Sequence, residues 1–198
     1  MISVYKIKPK FQELLKPILT FLFKLKITAN HITWAAIMLS LGTGILTWHY
    51  PFGITLIWIP VLLLLRMAFN ALDGMMARTY NMQSKAGEVL NELGDVISDI
   101  FIFFPLIKVF PMNIYIFLGF LFLSIVNEFV GVLGKAVSGT RQYDGPMGKS
   151  DRAFLIGLIC LIGYFWSDIV LYIDYIFSTA IVLLLISTGT RIYKTIKA

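Results

Sequence analysis

Acidic and amide side chains recur at helical spacing between residues 70 and 99, in the stretch NALDGMMARTYNMQSKAGEVLNELGDVISD. Asp73 follows Asn70 by three residues, which places the two side chains on one face of a helix. A second set recurs at steps of three or four residues: Glu88, Asn91 or Glu92, Asp95 and Asp99. Carboxylate and amide oxygens without nearby histidine or cysteine suit a hard cation. The two helix faces therefore predict a Mg²⁺ or Mn²⁺ site between them.

An arginine and three small residues lie among these polar positions. Arg78 offers a planar guanidinium that matches a phosphate group. Gly74 and Gly87 carry no side chain, so a ligand can approach the backbone there, and Ala77 is also small. This combination suits a pyrophosphate-bearing ligand. The alternative is that the polar residues only cap helix ends, which is the simpler interpretation of any one of them taken alone.

The elements that carry these residues are expected to be membrane-spanning helices. Of 198 residues, 58% are hydrophobic and 14% are charged, whereas soluble domains carry about 25% charged residues. A helix of roughly 20 apolar residues crosses a bilayer. Hydropathy and length predict an all-α integral membrane protein with six spans, at about 32–49, 53–72, 88–110, 112–134, 152–171 and 173–191.

The distribution of charge predicts how the chain lies in the membrane. The stretch FQELLKPILTFLFKLK is amphipathic, so residues 1–30 are expected to hold a helix that lies along the cytoplasmic interface. Residues 31–198 would form the transmembrane bundle of the same single domain. Basic residues collect at both termini and in the two longer loops, which the positive-inside rule assigns to the cytoplasm. We expect a multi-pass protein of a prokaryotic cell membrane that does not bind nucleic acid.

The stretch at 70–99 resembles the signature of the CDP-alcohol phosphotransferase family, D-x2-D-G-x2-A-R-x8-G-x3-D-x3-D. Every spacing is kept, and the eight fixed positions are Asn70, Asp73, Gly74, Ala77, Arg78, Gly87, Asn91 and Asp95. The segment ITANHIT, residues 27–33, is similar to the N-terminal TPN-x-x-T element of that family. The resemblance covers most of the chain.

This resemblance implies an enzyme of phospholipid biosynthesis. Such enzymes pass a phosphoryl-alcohol group, for example a phosphatidyl group, from a CDP-linked donor such as CDP-diacylglycerol to a hydroxyl acceptor and release CMP. The resemblance implies that Asp73, Asn70, Asn91 and Asp95 hold one or two Mg²⁺ or Mn²⁺ ions, with Asp95 also the catalytic base. The residues that it assigns to CDP binding are Asp73, Gly74, Ala77, Arg78 and Gly87. Membrane lipids and a second copy in a homodimer are further implied partners.

Two departures from the family pattern bear on the metal site. Asn70 and Asn91 stand where the family has aspartates, and an amide oxygen coordinates a cation without supplying negative charge. Either the binding of one metal ion is lost or weakened, or another acid supplies the missing negative charge. The acids on or beside the same helical stripe are Glu88, Glu92 and Asp99.

A second polar concentration lies in GTRQYDGPMGKSDRAF, residues 139–154. In the family this region helps to receive the acceptor, so the candidate acceptor-binding residues are Arg141, Lys149 and Arg152. The acceptor would be a small alcohol or a phosphorylated alcohol, because a glycine-containing turn followed by basic residues can hold a phosphate. The alternative is a positive-inside loop followed by a helix that Ser150 and Asp151 cap.

Two polar residues fall inside the fourth predicted span. Asn127 and Glu128 need polar partners there. They line the same cavity or form a bond between helices, and the sequence leaves both interpretations open.

Two functions other than catalysis also stay open. The first is a catalytically silent membrane protein that binds a CDP-linked lipid, which the two asparagines permit. The second is a small cation-dependent transporter that uses the intramembrane acids as a relay. The clustering of these acids at one surface, without a path through the bilayer, argues against the transporter.

Overall fold

The computed structural model describes residues 8–198, and the regular structure in that range is entirely helical. This confirms the predicted all-α class. In chain order the α-helices are α1 (Lys8–Lys24), α2 (Ala29–His49), α3 (Thr55–Thr79), α4 (Lys85–Phe103), the single turn α5 (Leu106–Val109), α6 (Ile114–Ser138), α7 (Lys149–Phe165) and α8 (Ile173–Lys197). A 3₁₀ helix, Ser167–Tyr172, joins α7 to α8.

Four helical segments among the described residues are long and apolar enough to cross a membrane: Ala29–His49, Thr55–Thr79, Ile114–Ser138 and Ser167–Lys197. Two helices from the predicted spans are not among them. Helix α4 carries four acidic residues, and α7 has only 17 residues, fewer than the roughly 20 that a straight span needs. The chain is thus a multi-pass, all-helical membrane protein, and the arrangement with six spans stays a prediction.

The structure interrupts two of the predicted spans. The segment predicted over 88–110 is a continuous helix only to Phe103, after which the chain turns through Pro105 into α5. Proline has no N–H to donate to the preceding turn, which favours a break at this point. The segment predicted over 152–171 ends as an α-helix at Phe165, because Trp166 takes an extended conformation with φ −140° and ψ 95°.

Helix α1 packs with one side against the last turns of α3. Leu15 and Leu19 are buried in a cluster that includes Met75 and Met76 of α3. Phe21 on another side of α1 is 60% exposed. These contacts agree with the predicted amphipathic helix, although only its part from residue 8 onward lies within the described residues, and its position at the membrane interface stays a prediction.

An aromatic cluster joins α4, α6 and α8. The rings of Phe103 and Phe120 lie 5.6 Å apart between centroids, and Phe120 meets Phe177 edge to face at 4.9 Å. All three side chains are at most 1% exposed. The cluster lies at the C-terminal end of α4, so it holds the bundle together away from the acids in the earlier turns of that helix.

Two glycines let α2 and α4 approach closely. A Cβ atom placed on Gly44 of α2 would lie 2.2 Å from the backbone oxygen of Phe101, and one on Gly94 of α4 would lie 2.7 Å from Cδ1 of Ile37. Small residues at helix contacts are typical of membrane bundles, where close packing replaces the hydrophobic effect. This contact fixes α4 against α2 along the length that carries the acidic residues.

The loop between α6 and α7 is fastened to α8. Helix α6 ends at Gly139, whose φ of 78° is in the left-handed region that favours glycine. The carbonyl oxygen of Asp144 accepts hydrogen bonds from Ser187 Oγ and Arg191 Nε, both at 3.2 Å. The Asp144 carboxylate pairs with Lys194 at 2.7 Å. The loop is therefore held against α8.

Candidate active site

A cavity of about 840 Å³ opens where the polar residues of the signature face the loop after α6. Both polar regions singled out in the sequence contribute to its wall. The signature contributes Asn70, Asp73, Gly74, Ala77, Arg78, Gly87, Glu88, Asn91 and Asp95, and the loop and the start of α7 contribute Arg141 and Lys149. The structure thus brings the predicted donor, metal and acceptor residues to one space, with the exceptions described below.

Asp73 is the acid where α2, α3 and α4 meet. Its Oδ2 atom accepts a hydrogen bond from Thr33 Oγ1 of α2 and another from Asn91 Nδ2 of α4, each at 3.0 Å. The residue is only 3% exposed, although it lines the cavity. Asn70 stands one turn earlier, and its buried Nδ2 atom has no hydrogen-bond partner among the described residues.

Asp95 faces Asp73 from α4 and forms an ion pair with Lys149, the first residue of α7. Asp95 is 7% exposed, and its backbone oxygen accepts a hydrogen bond from the Arg66 guanidinium at 3.2 Å. The start of α7 is fixed because the backbone N–H of Gly148 donates to Asp151 Oδ2 at 3.2 Å. This bond is the capping that the alternative interpretation assigned to Asp151, whereas the N-cap residue is Gly148 and not Ser150. Lys149 stands at the cavity wall.

A buried ionic network extends from the cavity wall into the helix bundle, and two of its members, Glu128 and Arg141, line the cavity. Asp99 pairs with Arg66 and with Arg152, both at 2.7 Å. Arg152 also pairs with Glu128 at 2.9 Å, and Glu128 in turn pairs with Arg141 at 2.9 Å. Because buried charges are costly without partners, the network ties α3, α4, α6 and α7 together.

The network takes two predicted site residues away from the cavity. Asp99 was expected as a substitute metal ligand and Arg152 as an acceptor-binding residue, but neither belongs to the cavity lining. Arg152 is 0% exposed, and both of its charged partners lie in the network. The sequence did not reveal this because the partners of Arg152 lie 24 and 53 residues away in the chain.

The other acids proposed as substitutes also have basic partners. Glu88 pairs with Lys135 at the cavity wall, and Glu92 pairs with Arg141 at 2.8 Å. Glu92 does not line the cavity. Burial disfavours the charge of Arg141, but Glu128 and Glu92 outweigh that effect and raise its pKa. Arg141 is therefore a permanent cation at the cavity wall.

The glycines of the signature lie against polar side chains. A Cβ atom on Gly74 would lie 3.3 Å from Nη1 of Arg78, and one on Gly87 would lie 2.7 Å from Oδ1 of Asn30. Asn30 lines the cavity and belongs to the segment ITANHIT. Residues 74 and 87 thus leave room for Arg78 and Asn30 to approach the backbone at the cavity wall.

Three functional candidates were not singled out from the sequence. Thr33 and Asn30 are both in ITANHIT, so the resemblance of that segment was a signal that could have identified them. Arg191 lines the cavity, is 2% exposed and donates to the backbone oxygen of Asn127 at 2.5 Å. The sequence showed Arg191 only as one of several basic residues near the C-terminus. Asn127 itself accepts a hydrogen bond from Thr188 at 3.3 Å, which is the interhelical alternative for that residue.

The donor atoms at Asp73 suit a hard divalent cation. One carboxylate and the amide oxygens available from Asn70 and Asn91 are oxygen ligands of the kind that Mg²⁺ and Mn²⁺ prefer. A half-turn of the Asn91 amide would direct its oxygen, in place of its nitrogen, toward Asp73. Within residues 8–198 no group of three or more histidine, cysteine, aspartate or glutamate side chains is placed to hold a metal. Asp73, Asn70 and Asn91 can therefore bind a cation through oxygen atoms, but together they carry only one negative charge.

Comparison with known proteins gives consistent matches. A family model described as CDP-alcohol phosphatidyltransferase matches residues 18–189. The inner membrane protein YnbA of Escherichia coli K12 is 47% identical over 156 residues, which cover 79% of this chain and 78% of YnbA. Phosphatidylinositol phosphate synthase of Corynebacterium glutamicum is 34% identical over 99 residues, covering 50% of this chain and 43% of that protein.

Solved structures show the same fold. The phosphatidylinositol phosphate synthase PgsA1 of Mycobacterium tuberculosis, in complex with manganese and citrate, superposes with a TM-score of 0.74 at 24% identity, covering 90% of this chain and 87% of that one. The structure of PgsA1 with CDP-DAG bound also gives a TM-score of 0.74, at 20% identity, covering 92% of this chain and 94% of the other.

Proposed function

This chain belongs to the CDP-alcohol phosphatidyltransferase family, and from that premise we propose that it transfers a phosphatidyl or other phosphoryl-alcohol group. The donor is a CDP-linked lipid such as CDP-diacylglycerol, the acceptor is a hydroxyl compound, and CMP is released in phospholipid synthesis. The observation that carries the proposal is that Asp73 and Asp95, on two neighbouring helices, face one cavity together with basic residues of the loop after α6. The chain is a variant of the family pattern, with Asn70 and Asn91 at two aspartate positions.

The proposed function implies an orientation in the membrane. Residues 1–198 form one domain, with an interfacial helix in 1–30 and a bundle of six spans in 31–198. The cavity and both termini lie on the cytoplasmic side, where basic residues are concentrated. The nucleotide enters from water and the lipid tails stay in the bilayer. The protein acts as a homodimer in the cell membrane of a prokaryote.

On the donor side, the proposed cation ligands are Asp73, Asn70 and Asn91, with Asp95 beside them. The bound cation would neutralise charge on the pyrophosphate and on the departing CMP. Arg78 binds a phosphate through its planar guanidinium, and Gly74, Ala77 and Gly87 allow the nucleotide to approach the backbone. Thr33 orients the Asp73 carboxylate through its 3.0 Å hydrogen bond.

On the acceptor side, Asp95 takes the proton of the attacking hydroxyl. An alcohol needs a base within hydrogen-bond reach as it attacks phosphorus, and Asp95 is the second carboxylate of the signature at the cavity. Arg141 and Lys149 would bind a phosphate or hydroxyl groups of the acceptor, since both line the cavity. Arg152 contributes indirectly, because it holds Glu128, which pairs with Arg141.

The experiment that tests the proposal is an incubation of the purified full-length protein with CDP-diacylglycerol, Mg²⁺ or Mn²⁺ and a mixture of alcohols and phosphorylated alcohols. CMP and new lipid masses are both measured. Metal-dependent CMP release with a matching new lipid supports the function and identifies the acceptor. Absence of both with every acceptor and cation contradicts it.

One observation favours a second candidate function. Because Asn70 and Asn91 supply no charge, the site could bind a CDP-linked lipid without turning it over. Tight binding of CDP-diacylglycerol without CMP release against the same panel of acceptors would support this silent binding protein.

A further inference from the structure

We propose that this chain holds a single divalent cation at Asp73 and that the ammonium group of Lys149 supplies the second cationic centre of the site, at Asp95. The inference rests on the proposed function, because the cation is the one that this function requires. It concerns how many ions the site holds and which residue sets that number.

The negative charge at the signature positions is sufficient for one divalent cation only. Among the signature positions, Asp73 and Asp95 are the two carboxylates, while Asn70 and Asn91 contribute neutral amides. No cluster of three or more metal-binding acids, histidines or cysteines forms anywhere in the described part of the chain. Two divalent ions would bring twice the positive charge that these two carboxylates can balance.

The nearby acids do not replace the missing charge. Glu92 pairs with Arg141 at 2.8 Å, Glu88 pairs with Lys135, and Asp99 is held between two arginines. Turning Asp99 toward a metal would leave the buried Arg66 without its carboxylate partner, which is strongly unfavourable, and turning Glu92 would leave Arg141 with Glu128 alone. The three acids that the sequence offered as substitutes are thus already committed to basic side chains.

Lys149 stands where a second ion would be needed. Its ammonium pairs with Asp95, and its side chain is only 22% exposed. As the first residue of α7 it is anchored to a fixed helix start, so the ammonium is not on a loose loop. A compact ammonium carries one charge instead of two, which matches a site that has lost carboxylates. It would also repel a divalent ion placed on the same side of Asp95.

The remaining oxygen donors converge on Asp73. Asn91 already reaches Asp73 at 3.0 Å through Nδ2, and rotation of that amide would present its oxygen instead. Asn70 lies one helical turn before Asp73, with an amide nitrogen that is buried and has no partner within the described residues. One carboxylate and two amides thus form a set of ligands for one ion.

The test is a titration of the full-length, detergent-solubilised protein with Mn²⁺ alone, with unbound Mn²⁺ measured by electron paramagnetic resonance. The wild type and the Lys149→Arg variant, which keeps the charge, should bind one ion per chain. Lys149→Gln combined with Asn70→Asp and Asn91→Asp should bind two. Lys135→Gln removes a cavity-lining ammonium that pairs with Glu88, and it is the matched control that should still bind one.

Two ions or none in the wild type would overturn the inference, as would a single ion in the triple variant that retains its helical circular dichroism. If the triple variant lacks the helical circular dichroism signal, the Lys149→Gln variant is titrated in its place. That variant should bind Mn²⁺ at least about tenfold more tightly, since an opposing charge has been removed, and unchanged affinity would overturn the inference.

The proposed function is tested separately by CMP release. Wild-type protein that binds two ions and releases CMP contradicts the inference but leaves the function intact. Protein that binds one ion without CMP release, with any acceptor, contradicts the function but not the ion count.

Discussion

The amide Nδ2 of Asn91 in α4 donates a hydrogen bond to Oδ2 of Asp73 in α3 at 3.0 Å. This bond joins the two helices of the signature at the centre of the candidate site. Thr33 of α2 donates to the same carboxylate oxygen at the same distance. Three helices therefore fix the orientation of one acid. An acid held in this way is preorganised for a ligand, because its rotamer does not have to be selected when the ligand binds.

Removing the Thr33 hydroxyl should weaken cation binding without unfolding the protein. Thr33→Val keeps the shape of the side chain and deletes its hydrogen bond to Asp73. Loss of a partner that orients a metal ligand costs about 10–100-fold in affinity. Mn²⁺ titration measures this change. Thr33→Ser retains a hydroxyl and serves as the control, and equal affinity in Thr33→Val and wild type would show that the bond does not orient the ligand.

A side chain at Gly44 should destabilise the bundle, whereas one at Gly42 should not. A Cβ atom at residue 44 would lie 2.2 Å from the Phe101 backbone oxygen, while nothing lies within 4 Å of one at residue 42. Overpacking of this kind costs about 1–3 kcal/mol. Thermal unfolding of Gly44→Ala and Gly42→Ala in detergent compares two positions of the same helix. Equal midpoints would contradict the close α2–α4 contact.

The fold was largely predictable because composition and apolar length determine helices of this kind. What the sequence did not show were the breaks at Pro105 and Trp166. Both fall inside apolar segments that hydropathy predicts as continuous spans, 88–110 and 152–171. Local backbone geometry and tertiary packing decide such ends, and neither is visible in a hydropathy profile.

Breaking the buried network should be far more costly than breaking an exposed pair. Asp99→Asn leaves Arg66 and Arg152 without their shared carboxylate, and removal of one partner from a buried pair costs about 3–5 kcal/mol. Lys194→Ala breaks the pair with Asp144, in which both side chains are nearly half exposed, and this change should cost at most about 1 kcal/mol. Denaturant unfolding in mixed micelles measures both. A small effect of Asp99→Asn would mean that the network does not stabilise the fold.

The sequence predicted which faces of α3 and α4 carry the site, but not the partners of the basic residues in α7. Regular pitch places Asn70 with Asp73 on one face of α3 and Asn91 with Asp95 on one face of α4, and the short connection between the helices lets these faces meet. The partners of Lys149 and Arg152 depend on how α7 packs, and the sequence could not distinguish a cavity-facing base from a buried one. Lys149 reaches the cavity, whereas Arg152, three residues later, points into the network.

Replacing Arg78 with lysine should weaken donor binding more than it slows turnover. Lysine keeps the charge but loses the planar pair of donors that matches a phosphate. Hydrogen bonds to charged groups contribute about 1.5–3 kcal/mol, so the KM for CDP-diacylglycerol should rise about tenfold or more. Steady-state kinetics at saturating acceptor measure this effect. An unchanged KM would mean that Arg78, although it lines the cavity, does not bind the donor.

The measurement that tests the central claim most directly is the rate of CMP release by Asp95→Asn and by Glu88→Gln, with CDP-diacylglycerol and whichever acceptor supports turnover. Both changes replace an acid of α4 at the cavity wall with its amide, but only Asp95 is the proposed base. We expect kcat to fall by about 10²–10⁴-fold for Asp95→Asn and to change little for Glu88→Gln. Full turnover by Asp95→Asn would contradict the account.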